Sequence, residues 1–136
     1  MTTIVKNGLA VLFICSVLVT GCKKDKMVPP TIEFKTGNSY ISADAHLAVN
    51  TAFTVGIDAK RTEKEDDLKT FVITRSYDGA AETTVATETL TADQAGEFEK
   101  DYPFTTRNQA GTEKYSFIVT NRDGLITTKS ITISVP

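Results

Sequence analysis

The chain lacks tryptophan, has a single histidine, His46, and has two cysteines, Cys15 and Cys22, both within its first 22 residues. Protein zinc sites usually combine several His or Cys ligands, so none is expected after Cys22. Thiol and disulfide chemistry are not expected there either, and a lone histidine gives little support to acid-base catalysis. The sequence therefore predicts no catalytic, metal-binding or cofactor-binding residue.

The chain also lacks an excess of positive charge, since it has 15 basic and 17 acidic residues. Loss of residues 1–21 would remove Lys6 and leave 14 basic against 17 acidic residues, a net charge near −3. Nucleic-acid binding depends on basic surface that neutralises phosphates. We therefore expect no nucleic-acid partner.

No apolar run reaches the ~20 residues that a membrane-spanning helix needs. The longest, largely apolar stretch begins at Gly8 and ends at Val19, follows the basic Lys6, and is succeeded by small residues and then by charged ones. This order is typical of a secretory signal peptide. Residues 1–21 are therefore predicted to be a signal peptide.

The boundary Val19-Thr20-Gly21-Cys22 resembles the lipobox of bacterial lipoproteins. The resemblance implies cleavage between Gly21 and Cys22 and acylation of the Cys22 thiol, whose lipid chains would hold the protein on a membrane. The start Cys22-Lys-Lys-Asp is similar to that of Bacteroidetes-type envelope lipoproteins. This likeness implies a cell-envelope protein anchored in the outer membrane, and it leaves exposure at the cell surface open.

Residues 22–30 are polar and end in Pro29-Pro30, a composition that favours an extended tether. Alternation of apolar and polar residues dominates residues 31–136 and predicts one all-β domain. Seven strands are expected, with turns at Asp78-Gly79 and at residues 121–124. They are centred on Ile32–Phe34, Phe53–Ala59, Phe71–Ile73, Thr83–Leu90, Phe98–Phe104, Tyr115–Val119 and Ile131–Val135.

Seven short strands favour a single two-sheet antiparallel β-sandwich, with one short helical turn near Thr91–Ala95. Residues 111–124 and the strand after them resemble the closing hairpin of Ig-like and PKD-like domains. Tyr115 matches the tyrosine-corner position of that family, and Phe117 stands where antibody domains have cysteine. The resemblance implies an Ig-like sandwich of the kind found in bacterial envelope lipoproteins.

Four groups of side chains could carry chemistry, and each has a simpler structural interpretation. The acidic residues within 60–67 could bind a cation, but interspersed basic residues favour a solvated loop. His46 near Asp44 could approach a hydroxyl such as Ser39 or Ser42, and the pairs Glu97/Glu99 and Glu63/Glu65 could act as paired carboxylates, although spacing two on a strand predicts one outward face. Tyr40, Tyr77 and Tyr102 could form a glycan platform or cover core edges.

The sequence-based hypothesis is a non-enzymatic, membrane-anchored lipoprotein whose Ig-like domain is an interaction or spacer module. The alternative is an accessory glycan- or protein-binding subunit of a surface uptake or adhesion system. The expected partners are the membrane, through the lipid on Cys22, and an envelope protein or a glycan. A hydrolase would require His46 within hydrogen-bond reach of a hydroxyl and a carboxylate.

Overall fold

The computed structural model describes residues 26–136. The predicted signal peptide, the Gly21–Cys22 cleavage site and the lipidation site at Cys22 lie outside the described residues. From residue 26 onward, no helix is long and apolar enough to cross a membrane.

Strands make up almost all of the regular structure in this range. In chain order they are β1 Thr31–Phe34, β2 Ala45–His46, β3 Ala52–Lys60, β4 Leu68–Tyr77, β5 Thr83–Thr89, β6 Glu97–Thr105, β7 Gly111–Asn121 and β8 Ile126–Val135. One 3₁₀ turn, Ala92–Gln94, lies within the predicted helical turn.

The strands form two sheets, one with the order β1-β3-β6 and the other with the order β2-β8-β7-β4-β5. The predicted all-β sandwich is therefore confirmed. The strand that the sequence did not predict is β2, which has two residues and pairs in parallel with β8 through Ala45–Ile133 and His46–Ser134. Two residues are too few to show an alternating pattern, so the expectation of a purely antiparallel sandwich fails at this edge.

The core lies between the inner faces of the two sheets and follows the alternation in the sequence. Every second residue of β3 from Phe53 to Ala59, and of β7 from Tyr115 to Val119, is buried. Aromatic rings connect the sheets, with centroids 5.7 Å apart for Phe71 and Tyr102. Each fully buried large apolar side chain contributes about 1.5–3 kcal/mol, so these facing rows hold the sandwich together.

The predicted turn at Asp78-Gly79 is present between β4 and β5. Both residues have positive φ, +50° and +75°, and the Ala80 N–H donates to the Tyr77 carbonyl at 2.8 Å. Two successive positive φ angles match the twist of a hairpin, and glycine tolerates them without steric cost. This turn fixes one corner of the sandwich at the end of β4.

Candidate functional site

The chain enters the sandwich through a docked proline pair. The Thr62 hydroxyl donates to the Pro29 carbonyl, and the Thr127 hydroxyl donates to the Pro30 carbonyl at 2.5 Å. Thr62 follows β3 of the three-stranded sheet and Thr127 lies on β8 of the five-stranded sheet, so the proline pair is held from both sheets. The segment that precedes β1 is therefore fixed to one end of the sandwich, which we call the tether end.

The opposite end, which we call the distal end, is identified by strand direction. Thr31 at the start of β1 is opposite Lys60 at the close of β3, so β3 runs from Ala52 at the distal end to Lys60 at the tether end. At about 3.4 Å per residue, these two residues are about 27 Å apart along the strand. Features near Ala52 are thus remote from the point where the chain enters.

A cleft of about 520 Å³ lies at the distal end, on the outer face of the three-stranded sheet. Its volume lies within the range of roughly 300–1,000 Å³ common for small-molecule sites. The cleft is lined by Ser39, Ala52, Phe53, Thr54, Pro103, Phe104 and Thr105. A smaller neighbouring cavity of about 170 Å³ shares Ser39 and Thr54 with it and extends along Asn38–Ile41. Hydroxyl groups and apolar residues therefore both line the cleft.

One wall of the cleft is the loop between Lys35 and Ile41. Its two ends are held on β3, because the Lys35 N–H donates to the Gly56 carbonyl and the Ile41 N–H donates to the Thr54 carbonyl, both at 2.9 Å. Between these bonds the loop rises from the sheet and turns at Gly37, whose φ is +119°. The sheet thus anchors a short protruding wall beside the cleft.

Lys35, Tyr40 and Asp101 lock that wall in place. The Lys35 Nζ donates to Asp101 Oδ1 and the Tyr40 hydroxyl donates to Asp101 Oδ2, each at 3.0 Å. These side chains cross directly over Gly56, where an added Cβ would lie 2.7 Å from Lys35 Cδ and 2.8 Å from Tyr40 Cε1. A side chain larger than that of glycine at position 56 would therefore displace these groups.

The charges within the cluster are mutually stabilised. The hydrogen bond from Lys35, followed by that from Tyr40, lowers the pKa of the Asp101 carboxyl. The same bonds to Asp101 raise the pKa of Lys35 and of Tyr40. At neutral pH the cluster thus consists of an ammonium, a carboxylate and a neutral phenol, an arrangement that supports structure rather than proton transfer.

A second network closes the distal end between the sheets. Glu113 is fully buried and accepts hydrogen bonds from the Arg107 N–H at 2.8 Å and from the Tyr115 hydroxyl at 2.7 Å. The Arg107 guanidinium donates to Asp78 Oδ2 at 2.5 Å, and the Thr112 N–H donates to Asp78 Oδ1 at 2.8 Å. We call Asp78, Arg107, Glu113 and Tyr115 the rim network.

The rim network also fixes protonation states. The hydrogen bond from Arg107, then that from the Thr112 N–H, lowers the pKa of Asp78. Burial, then the hydrogen bond to Glu113, raises the pKa of Tyr115, so the phenol stays neutral. The sequence resemblance matched Tyr115 to the tyrosine-corner position, but its hydroxyl donates to the carboxylate of Glu113, two residues upstream, and not to the backbone group of that motif.

Two arginines lie against the ring of Tyr77 beside the rim network. The guanidinium carbons of Arg107 and Arg75 are 4.4 Å and 4.7 Å from the ring centroid. Distances below about 6 Å allow a cation–π attraction. Tyr77 is therefore part of a cationic cluster and is not an open platform.

The structure separates the three tyrosines that could have formed a glycan platform. Tyr40 lies over the outer face of the three-stranded sheet, bonded to Asp101. Tyr77 is covered by arginines, and Tyr102 is 7% exposed and stacks on Phe71 in the core. The three do not meet, so the platform hypothesis has no support in the described residues.

Glu97 and Glu99 share the outward face that their spacing predicted. Their carboxylates and that of Asp58 lie within 4.8 Å of one another. The Lys60 Nζ already bridges this group, at 2.9 Å from both Asp58 Oδ2 and Glu97 Oε1, and its pKa is raised by those two bonds. A lysine cation thus occupies the place that a metal cation would take.

The remaining sequence candidates are structural or exposed. His46 is exposed on the edge strand β2, and its imidazole forms no hydrogen bond or ion pair with residues 26–136. Asp44 instead accepts the Thr132 N–H at 2.8 Å, so the condition for a His-based hydrolase is not met. Within the loop of residues 60–67, Arg61 pairs with Asp67 at 2.6 Å, as interspersed charges predicted, but Asp66 is 2% exposed. That loop is therefore only partly solvated.

Sequence reasoning missed the rim network, although the pattern contained a signal for it. Glu113 is two residues before Tyr115 on β7, and Arg75 is two residues after Ile73 on β4. Residues two apart on a strand lie on the same face, so alternation alone places both charged side chains on the inner face. The cluster of Lys35, Tyr40 and Asp101 had no comparable signal, because Asp101 is more than sixty residues from the other two in sequence.

Comparisons with known proteins give a likeness of fold. No protein-family model matches the chain, and no curated protein is significantly similar to it. Two solved structures of superoxide reductase (neelaredoxin) from Ignicoccus hospitalis are similar over most of both chains. The T24K form has a TM-score of 0.53 at 11% identity and covers 79% of this chain and 80% of its own. The other has a TM-score of 0.50 at 13% identity and covers 80% and 81%.

A β-glucosidase from Listeria innocua is also similar, with a TM-score of 0.44 and 15% identity over 77% of this chain and 16% of that one. This chain thus spans a small part of that enzyme. At 11% and 13% identity the two superoxide reductase structures show a shared fold and transfer no activity.

The likeness corrects the functional hypothesis drawn from the sequence. A non-enzymatic interaction or spacer module, or alternatively an accessory glycan- or protein-binding subunit, was inferred from an anchored Ig-like fold without a group of residues that predicts catalysis. Because the same fold carries superoxide reductases, that inference is wrong, and so is the prediction that the chain is not an enzyme, insofar as it rested on the fold.

Superoxide chemistry nevertheless does not fit the side chains described. Reduction of superoxide needs a one-electron donor, and proteins hold redox-active transition metals mainly with imidazole and thiolate ligands. Residues 26–136 contain one histidine, the exposed His46, and no cysteine. The one group of three candidate ligands in this range is all carboxylate, and two of its members already pair with Lys60. Residues 26–136 therefore offer no ligand set typical of a redox-active metal.

Proposed function

We propose that this chain is a lipid-anchored protein of the bacterial cell envelope, of the Bacteroidetes type, that binds a small polar molecule in its distal cleft. The observation that carries the proposal is the separation between the docked Pro29-Pro30 segment at one end of the sandwich and the cleft at the other. The lipobox-like residues before Cys22 support the anchor.

The length of the tether supports an outward-facing cleft. Seven peptide steps separate Cys22 from Pro29, which at ~3.5 Å per step gives a reach of at most about 25 Å. The tether end is thereby kept close to the bilayer. Since β3 extends about 27 Å from that end, the cleft opens toward solvent, where a diffusing molecule can reach it.

The lining of the cleft indicates the class of molecule. Ser39, Thr54 and Thr105 offer hydroxyl groups, and Pro103 offers an apolar surface. The charged side chains nearest the cleft are Lys35 and Asp101, which pair with each other, so the cleft carries no uncompensated charge of either sign. A neutral molecule with several hydrogen-bonding groups fits this environment best.

The anchor is tested with Cys22→Ser, using Cys15→Ser as the matched control. We expect wild type and Cys15→Ser to incorporate radiolabelled palmitate and to sediment with membranes. Cys22→Ser should incorporate no label and should leave the membrane fraction or retain its uncleaved signal. Labelled Cys22→Ser protein would contradict the anchor.

The cleft is tested with Thr54→Tyr, which places a ring in the cavity, and with Thr87→Tyr on the exposed strand β5 as the matched control. The full-length protein is titrated with a panel of free amino acids, polyamines and polyols and observed by NMR. Binding should be lost in Thr54→Tyr and kept in Thr87→Tyr. Absence of binding to wild type, or equal binding by both variants, would overturn the proposal.

A further inference from the structure

Arg75 occupies an unusual position for an arginine, on the inner face of the five-stranded sheet. It pairs with Tyr115 across β4 and β7 and with Thr83 across β4 and β5. Its strand parity is that of Phe71 and Ile73, which are both fully buried. The side chain is thus directed into the mouth of the sandwich at the distal end, where it is partly exposed.

Arg75 and Arg107 differ in their ion pairs, although both guanidinium groups lie against the ring of Tyr77. Arg107, on the same tyrosine ring, is 2.5 Å from an Asp78 oxygen and 3.7 Å from a Glu113 oxygen. Among the four arginines in residues 26–136, Arg75 alone has no carboxylate within 4 Å, and its buried Nε has no hydrogen-bond acceptor in that range. A buried donor left without an acceptor costs free energy.

The stacking on Tyr77 prepares Arg75 for one kind of ligand. A guanidinium group 4.7 Å from the ring centroid is held in place by the aromatic ring, which limits the rotamer freedom that the long side chain would otherwise lose on binding. Its N–H groups form a planar fork that matches two oxygens of a carboxylate or a phosphate. The terminal N–H groups of Arg75 are not buried and have no acceptor among residues 26–136, so they can donate to such an oxyanion.

Other charges near this position do not compete for it. Glu113 is engaged by the Arg107 N–H and the Tyr115 hydroxyl. Glu82, close in sequence, is bound on the outer face of the sheet by Thr74 and Ser116. The positive charge of Arg75 is therefore available to an incoming anion.

We infer that Arg75, stacked on Tyr77 at the sandwich mouth, is a binding site for an oxyanion, the carboxylate or phosphate group of a small molecule. The site lies between the sheets at the edge formed by β5, whereas the cleft lies on the outer face of the other sheet. The inference is independent of the proposed cleft function, because it uses none of the residues that line the cleft.

The site is tested on the full-length protein in detergent micelles by following the Nε–Hε resonances of its arginines. The protein is titrated separately with inorganic phosphate and with acetate, and sodium chloride at matched ionic strength serves as the control. The Arg75 resonance should shift saturably with at least one oxyanion, while that of the exposed Arg122 at the tether end should follow the chloride titration.

Saturation by phosphate alone, by acetate alone or by both would identify which oxyanion is bound. Arg75→Lys removes the fork while keeping the charge, and we expect at least tenfold weaker binding; Arg122→Lys is the matched control and should bind as wild type does. The inference is overturned if the wild-type Arg75 resonance does not shift, or if it shifts equally in chloride. This wild-type measurement decides the question even if Arg75→Lys fails to fold.

Discussion

The buried carboxylate of Glu113 gives the sharpest test of how the distal end is held together. Replacing it with leucine leaves the Arg107 N–H and the Tyr115 hydroxyl without the acceptors now 2.8 Å and 2.7 Å away. Each unsatisfied buried donor costs about 1–3 kcal/mol, and relief from desolvation of the carboxylate offsets part of that cost. We expect Glu113→Leu to lower the free energy of unfolding by about 3 kcal/mol, a large fraction of the 5–15 kcal/mol typical of a domain.

Glu113→Gln refines the test because it keeps the shape and one acceptor oxygen. Its expected loss is about half that of Glu113→Leu, since one of the two donors stays satisfied. Glu65→Leu, in the exposed part of the loop between β3 and β4, is the matched control and should change stability by less than about 0.5 kcal/mol. The measurement is urea unfolding followed by circular dichroism, because the chain has no tryptophan.

The reasoning would be refuted if Glu113→Leu were as stable as wild type or more stable. That result would mean that the desolvation of the carboxylate outweighs its two hydrogen bonds, as happens for some buried ion pairs. An equal loss in Glu65→Leu would show instead that the assay reports general charge effects.

Two further predictions concern the cluster above Gly56. Gly56→Ala adds a Cβ 2.8 Å from Tyr40 Cε1, so the ring should move and its hydrogen bond to Asp101 Oδ2 should break. That bond raises the pKa of Tyr40 in wild type, so an NMR titration should show this pKa returning toward its ordinary value, and an unchanged Tyr40 pKa would contradict the prediction. Because the folded state lowers the pKa of Asp101, this carboxylate stabilises the fold above about pH 4, and its contribution is lost as the pH falls through the folded pKa. Asp101→Asn should therefore weaken the dependence of urea midpoints on pH below about 4, and an unchanged slope would exclude a contribution from Asp101.

The sequence predicted the sandwich because each long strand buries one face. Large apolar residues occupy alternate positions, Phe53, Val55 and Ile57 on β3 and Tyr115 and Phe117 on β7. This alternation specifies which face of each strand is buried, whichever strands lie beside it. The Asp78-Gly79 turn was predictable for a local reason as well, since its positive φ angles depend on two adjacent residues.

The cleft and its wall were not predictable in the same way. Lys35, Tyr40 and Asp101 meet only because β1, β3 and β6 are adjacent in one sheet, and nothing in the local sequence specifies that order. The docking of Pro29 by Thr62 depends likewise on two segments 33 residues apart. To predict a site that spans several strands, the order of the strands in the sheet must be known, whereas the strands themselves can be predicted from the alternation of apolar and polar residues alone.

The likeness to superoxide reductases shows why the fold could not decide the function. A sandwich supplies two sheet faces and two ends, and activity depends on the side chains placed there. In this chain the distal end is closed by Asp78, Arg107 and Glu113, so its stability and its electrostatics depend on the same groups. An oxyanion bound at Arg75 would add its binding free energy to folding, about 1.4 kcal/mol at ten times its dissociation constant. Phosphate or acetate that binds there should therefore raise the urea midpoint of wild type more than that of Arg75→Lys, which couples ligand binding at the distal end to the stability of the whole sandwich.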